Sequence, residues 1–423
     1  MAYVADLHLH SRFSRACSQQ ITIPNLAKWA KVKGIDLLGT GDFLHPLWQA
    51  ELKHTLKGCE NGIFEYDGVK FLLTNEISCI YSDQGKTRRI HILIFLPSLE
   101  AVAKLTQELV KRKINIASDG RPITGFSAQT ICEIVFGVEP SAIIIPAHIW
   151  TPWFSLFGSM SGYDKFSDCF GEYSDQILAV ETGLSSDPQM NWRIADLDQK
   201  SIISCSDAHS LPNLGREATI FSGEMGYKEI LEDLKNQNIV GTIEFFPEEG
   251  KYHFSGHRNC GVVYSPKDLK EKGEICPKCG RKLTIGVMER VEELATRTME
   301  DLKLGTEGGK LVSQTFPKRA GFRMLVGLGK IVAEAMHSTP LSQKVKAEYD
   351  KLIQSLGSEL LILTKTPLEE IKKVAGERVV EGIERVREGK LHIEPGYDGT
   401  YGVIKIWNDE QENIKQKEQL NLF

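Results

Sequence analysis

Histidines and carboxylates recur at the ends of successive short apolar runs in this chain, beginning with Asp6-Leu7-His8-Leu9-His10-Ser11. Side chains of an extended strand alternate between two faces, so over residues 3–10 Ala5, Leu7 and Leu9 go one way and Asp6, His8 and His10 the other. His8 and His10 therefore point together, as two ligands of one metal must. Later runs repeat the pattern: residues 35–40 lead to Asp42, 70–75 to Glu76, 142–147 to His148, and 201–206 to Asp207 and His209. His91 opens its run, residues 90–96, instead of closing it. If Asp83-Gln84-Gly85-Lys86 is a hairpin turn, however, Ser82 faces Thr87 and Ser78 faces His91, and Glu76 and His91 share a face one diagonal step apart.

A single histidine in a soluble chain is more often a satisfied polar core residue than a ligand. Eight candidates at corresponding strand ends read instead as one multinuclear site. Imidazole with carboxylate suits zinc, manganese or iron, and two or three such ions about 3.5–4 Å apart clamp a phosphate during hydrolysis. Strand ends are where a β/α barrel keeps its chemistry. Helix-like stretches at residues 24–33 and 99–113 separate the strand runs, and the alternation to about residue 240, counting the run 177–180 that ends at Glu181-Thr182-Gly183, supplies seven strand candidates. The expectation is an α/β fold, a distorted seven-stranded relative of the TIM barrel.

At 423 residues the chain is long enough for such a barrel plus smaller units. A net charge of −5 excludes a uniformly basic surface, so nucleic-acid binding requires a local patch. Nine cysteines, an odd set with three in a metal-like cluster, argue against a disulfide framework and for a cytoplasmic protein. The first strand begins by about Tyr3, which leaves no room for a signal peptide, and no apolar run approaches a membrane span.

The composition changes after residue 244. Pro247-Glu248-Glu249-Gly250 reads as a linker, followed by His257-x-x-Cys260 and, fifteen residues on, Cys276-Pro277-Lys278-Cys279-Gly280. That spacing predicts a zinc ribbon over residues 245–288, with His257, Cys260, Cys276 and Cys279 closing a structural tetrahedron and His253 as the competing fourth ligand. Residues 289–407 read as a mostly helical domain, with helices over 287–304 and 341–356 and an amphipathic segment over 370–388 capped by Thr366-Pro367. Six basic residues (Lys303, Lys310, Lys318, Arg319, Arg323 and Lys330) in residues 301–330 form either a modest phosphate track or a solvated surface, and Gly305, Gly308 and Gly309 mark a flexible loop there. The turn-rich run from Pro395 to Gly402 packs on the barrel or lines a groove. Residues 408–423 read as a disordered polar tail.

The set His8-x-His10, Asp42, Glu76, His91, His148 and Asp207-x-His209 resembles the polymerase and histidinol phosphatase (PHP) superfamily of metal-dependent phosphoesterases. The resemblance implies a seven-stranded barrel with up to three metals: His8, His10, Glu76 and Asp207 on the first, Glu76 bridging to a second held by His91 and His148, and Asp42 with His209 on the third. Two departures fall on the third metal, because Thr40-Gly41-Asp42 replaces the usual Thr-Asp-His and Ser14-Arg15-Ala16-Cys17 lacks the histidine often found there. Over residues 1 to about 407 the chain is similar to one branch, the endonuclease Q family, through Pro24-Asn25-Leu26-Ala27-Lys28-Trp29, Pro146-Ala147-His148-Ile149-Trp150-Thr151-Pro152-Trp153-Phe154, Glu181-Thr182-Gly183-Leu184-Ser185-Ser186-Asp187, the Cys/His ribbon and Pro395-Gly396-Tyr397-Asp398-Gly399.

That branch implies a DNA repair endonuclease that nicks 5′ to a deaminated base (uracil, hypoxanthine or xanthine) or an abasic site, by attack of a metal-activated hydroxide after base flipping. Glu76 and Asp207 are the ligands on which catalysis would turn. Trp150, Trp153 and Phe154 are the candidate stacking or wedge residues, and Ser185, Ser186, Asp187 and Asn191 the candidate readers of the carbonyl that deamination creates; each loop could equally pack on the barrel or form a turn. Gln419, Leu420, Leu422 and Phe423 resemble the short terminal peptides that hold sliding clamps, which would place a prokaryotic protein at the nucleoid. The rival readings are a phosphatase of the PHP type acting on a small phosphate ester and a non-catalytic scaffold for damaged DNA or a clamp.

Overall fold

The computed structural model describes residues 1–58 and 61–408. Its centre is a large mixed sheet. Ala2–Asp6, Leu37–Gly39 and Val69–Asp83 pair in parallel, and their nearly unbroken apolar runs are buried on both faces, as strands covered by helices must be. Val69–Asp83 turns through Gln84 and Gly85, both with positive φ (49° and 75°), into Lys86–Leu96. The register is the one expected from the turn, with Ser82 opposite Thr87 and Ser78 opposite His91. Lys86–Leu96 then pairs antiparallel with Ile143–Pro146. A separate parallel pair, Ala179–Glu181 and Ser201–Ile203, joins this array at its ligand-bearing ends: Ile149 N donates to Glu181 O (3.2 Å), and Leu9 forms a parallel bridge with Ala208.

The helices expected over 24–33 and 99–113 form as Ile23–Lys33 and Leu99–Lys111. Thr22 accepts from Asn25 N at the start of Ile23–Lys33, with Pro24 in the first turn, and Ser98 accepts from Ala101 N ahead of Leu99–Lys111. No helix among the described residues is long and apolar enough to cross a membrane.

The region after residue 286 departs from expectation in three places. The helix expected over 287–304 stops at Leu294, because Thr296 turns to bond the Arg193 and Ala195 backbone while Arg193 pairs with Glu292. The supposed flexible loop is a hairpin, Leu304–Glu307 with Lys310–Ser313, turning on Gly308-Gly309; with Phe322–Met324 it extends the central sheet through Gly241–Glu244. Two adjacent glycines with positive φ are a hairpin signal, not a sign of flexibility. The segment 370–388 is two helices, Leu368–Lys372 and Glu377–Arg387, broken at Gly376, and Thr366 closes the preceding helix by donating to Leu361 O instead of capping the next.

Four of the six basic residues in residues 301–330 are committed inside the fold. Arg319 bonds the Leu197 and Lys200 carbonyls, Arg323 those of Gly308 and Thr364, Lys310 that of Val240, and Lys330 pairs with Glu249. The run Pro395–Gly402 ties residues 248–249 to the segment 258–284: Gly396 N and Gly402 N donate to Glu248 O and Glu249 O, and Asp398 accepts from Arg258 N and Thr284 Oγ1.

A buried ion pair joins the helical unit to the helix Ile23–Lys33. Lys33 and Glu359 lie 2.7 Å apart with side chains 9% and 5% exposed, and Glu359 also accepts from Tyr349 Oη and Leu328 N. Removing one partner strands the other charge in an apolar seam. Glu359→Ala should therefore lower stability by about 3–5 kcal/mol in chemical unfolding; a loss within error of an exposed-site control such as Leu361→Ala would contradict the reading.

Candidate metal centre

The strand ends converge on one carboxylate. Glu76, 2% exposed, projects from the middle of Val69–Asp83, where it pairs with Leu93 of Lys86–Leu96. Its Oε2 lies 3.2 Å from His10 Nε2 and 3.7 Å from His8 Nε2; its Oε1 lies 2.6 Å from His91 Nδ1 and 3.2 Å from His148 Nε2. Asp207 Oδ1 adds 3.2 and 3.6 Å contacts to His10 and His8. Each oxygen of Glu76 thus faces its own pair of imidazoles. The ligand atoms form three groups within 4.8 Å: His8, His10, Glu76; Glu76, His91, His148; and His10, Asp207, His209.

The donor set fits divalent cations. His8 Nε2, His10 Nε2 and Asp207 Oδ1 are buried with no hydrogen-bond partner, although buried polar atoms are almost always paired. The opposite ring nitrogens are engaged: His8 Nδ1 with Glu181 (2.9 Å) and His10 Nδ1 with Asp42 (3.1 Å). Such carboxylate–imidazole pairs orient a ring and present its other nitrogen to a metal.

Asp42 therefore sits behind His10 instead of among the ligands, in contrast to the expectation. Its Oδ2 is saturated by Ser11 N, Ser11 Oγ and Ser14 Oγ at 2.6–2.8 Å. Glu181 is the site residue that sequence reasoning missed; it also accepts from His148 N (2.8 Å). Arg121 was missed too, and donates to Glu76 Oε2 at 3.0 Å.

Backbone strain concentrates here. Asp42, His148 and Asp207 all have positive φ (47°, 31° and 46°), which costs non-glycine residues energy and persists where surroundings enforce it. Gly183 is one enforcing element, because a Cβ there would stand 2.3 Å from His148 Cβ.

The electrostatics follow from the packing. Burial works to raise the Glu76 carboxyl, but His91 and Arg121 outweigh it and hold the group well below its usual range. Burial also works against charge on His8 and His10, yet Glu181 and Asp42 respectively lift them well above the ordinary imidazole value. His91 is pushed down by burial to about 4, which suits a neutral ligand.

A cavity of about 600 Å³ opens beside the second imidazole pair, lined by His91, His148, Trp153, Phe154, Tyr252, Arg15, Arg89 and Arg121. Trp153 and Phe154 thus face the ligands. Trp150 does not: it is buried, and its Nε1 donates to Asn191 Oδ1. Ser186, Asp187 and Asn191 are buried in the same network, with Ser186 Oγ donating to Thr182 O, Asp187 capping Met190 N, and Asn191 Nδ2 bonding Asp187 O. These four brace the loop, and only Ser185 of the expected readers is partly exposed. His257, Cys260, Cys276 and Cys279 bring their ligand atoms within 4.8 Å, and His253 stays outside that group. Gln419, Leu420, Leu422 and Phe423 lie outside the described residues.

Residues 327–390 match the family model of the MJ0043 C-terminal domain. The lesion-specific endonuclease PfuEndoQ of Pyrococcus furiosus is similar in structure over nearly the whole molecule, with 33% identity, a TM-score of 0.82, and coverage of 96% of this chain and 95% of that one. The chain belongs to the endonuclease Q family. A second endonuclease Q structure, a complex with a 27-mer duplex carrying an abasic lesion at its active site, gives 33% identity and a TM-score of 0.82 over 97% of this chain and 98% of that one. The Methanocaldococcus jannaschii protein MJ0043 is 30% identical over 265 residues, 61% of this chain, which spans only 31% of that relative's length.

Because His8 and His10 are lifted well above the ordinary imidazole value in the metal-free site, a cation must displace their protons. Manganese added to the metal-free protein near neutral pH should release protons, and affinity should fall as pH is lowered. Calorimetry in buffers of different ionisation enthalpy checks this; an enthalpy independent of buffer would contradict it.

Proposed function

We propose that this endonuclease Q relative is a metal-dependent DNA repair nuclease that nicks the phosphodiester 5′ to deaminated bases or abasic sites. The observation that carries the reading is Glu76, with one oxygen turned to each of two imidazole pairs beside an arginine- and aromatic-lined cavity. The seven strands that bear or adjoin the ligands form a PHP-type barrel over residues 1–244, with a zinc ribbon over 245–288 and a DNA-binding unit over 289–407.

His8, His10, Glu76 and Asp207 would hold one cation, and Glu76, His91 and His148 a second. When bound, such a pair lowers the pKa of water to yield the nucleophile and neutralises charge on the phosphate and leaving oxygen. Glu181 and Asp42 orient His8 and His10, and no side chain is required as nucleophile. The Cys3His cluster of the ribbon is coordinatively closed, so a zinc there is architectural. Phe154 lies over His91, with ring centroids 4.9 Å apart, and Trp153 packs edge-on to Tyr252 at 5.4 Å, which leaves aromatic faces beside the cavity for an extruded base.

Cleavage of end-labelled duplexes, each with one uracil, hypoxanthine or abasic site, tests the reading. Wild type should nick just 5′ of the lesion and spare undamaged DNA, and Glu76→Ala should not cut. Full metal content and tight binding without any nick would point to a scaffold, and hydrolysis of small phosphate esters alone to a phosphatase. Trp153→Ala should weaken binding of the uracil duplex roughly 5- to 100-fold, the scale of one aromatic–base stack, and affect the abasic duplex less, since no base is present there to stack. Equal losses on both substrates would contradict a stacking role.

A further inference from the structure

The third ligand group is short of donors. An imidazole nitrogen has one lone pair and serves one ion. His10 Nδ1 is bonded to Asp42, so only Nε2 is free, and the group His8, His10, Glu76 claims the same atom as the group His10, Asp207, His209. Asp42 is unavailable, with Oδ2 filled by Ser11 and Ser14. Once His10 joins His8 and Glu76, the third position keeps His209 and a carboxylate, Asp207, that it would share with the first cation, with side chains 29% and 24% exposed. Two ligands do not make a tight divalent site, yet a phosphate in transfer still needs positive charge on that side.

Arg121 is built into that side. The loop carrying it is latched to the ligand loop by Gly120 N to Phe13 O (3.1 Å), and a Cβ at Gly120 would meet Asp42 Oδ2 at 2.2 Å. Arg121 N donates to the buried Asp119 (3.1 Å), and Pro122 O accepts from Ser78 N (2.9 Å), so the backbone is pinned on both sides. The side chain, 25% exposed, gives Nη1 to Glu76 and lines the cavity with Arg15 and Arg89. Glu76 alone does not account for it: that carboxylate already has three imidazoles within 3.2 Å, and a guanidinium carries five N–H donors in a fork that matches phosphate.

We propose that Arg121 grips a non-bridging oxygen of the scissile phosphate and supplies the charge that a third divalent cation would otherwise bring. The assignment rests on the nuclease reading above. Its test uses the metal-replete full chain, with inorganic phosphate as the probe. Arg121→Gln should keep the wild-type metal content and unfolding midpoint, yet bind phosphate about 10- to 100-fold more weakly in calorimetry, the scale of a lost charge-assisted hydrogen bond. Single-turnover nicking should fall at least as far. Arg121→Lys, which keeps charge but loses the fork, should lie between. Three barrel ions per chain by mass spectrometry, or unchanged phosphate affinity in Arg121→Gln while wild type nicks lesion DNA, would overturn the assignment and leave the nuclease reading standing. A wild type that binds phosphate but nicks no lesion duplex would sink the nuclease reading, and the scissile-phosphate role with it.

Discussion

Glu76 turns one carboxylate oxygen toward His8 and His10 and the other toward His91 and His148, and the rest of the site is arranged around that division. A buried carboxylate is tolerated only with compensating charge and hydrogen bonds. The fold supplies these from four directions: the first strand's extension, the hairpin partner strand, the segment after Ile143–Pro146, and the Arg121 loop. Glu76 stands mid-strand, paired with Leu93 of the hairpin partner, and the imidazoles are brought to it.

The surroundings of that carboxylate are constrained. His148, Asp207 and Asp42 leave their strands with positive φ, and close backbone approaches at Gly183 and Gly120 hold the strained turns in place. Behind each first-strand imidazole stands a carboxylate that fixes the ring, Glu181 for His8 and Asp42 for His10. The site's negative charge is thus distributed between groups that face a cation and groups that face the ligands' far nitrogens. Side-chain type alone does not separate the two classes.

This explains what was legible in the sequence. His91 was placed on the Glu76 face by counting from the turn at Gln84-Gly85, because strand periodicity and hairpin register are local rules. His257 and the three ribbon cysteines were legible from spacing for the same reason. Asp42 reads as a ligand from sequence because its orienting role depends on Ser11 and Ser14, which reach across to fill its second oxygen. Glu181 stood at a strand end in plain view, but only the tertiary pairing of its strand with Ser201–Ile203 and its reach to His8 reveal its task. Arg121 follows Asp119-Gly120 in a loop outside any periodic run, so no sequence signal pointed to it. Trp150 and Asn191 looked like binding residues because aromatic and amide side chains serve both purposes; here they bond each other in the interior.

The most direct test of the central claim is anomalous diffraction from crystals of the metal-replete protein, recorded at the absorption edge of the bound metal. Two peaks about 3.5–4 Å apart, one on either side of the Glu76 carboxylate, are expected. One peak touching a single oxygen of Glu76, or an ion coordinated by Asp42, would contradict the proposed two-ion centre.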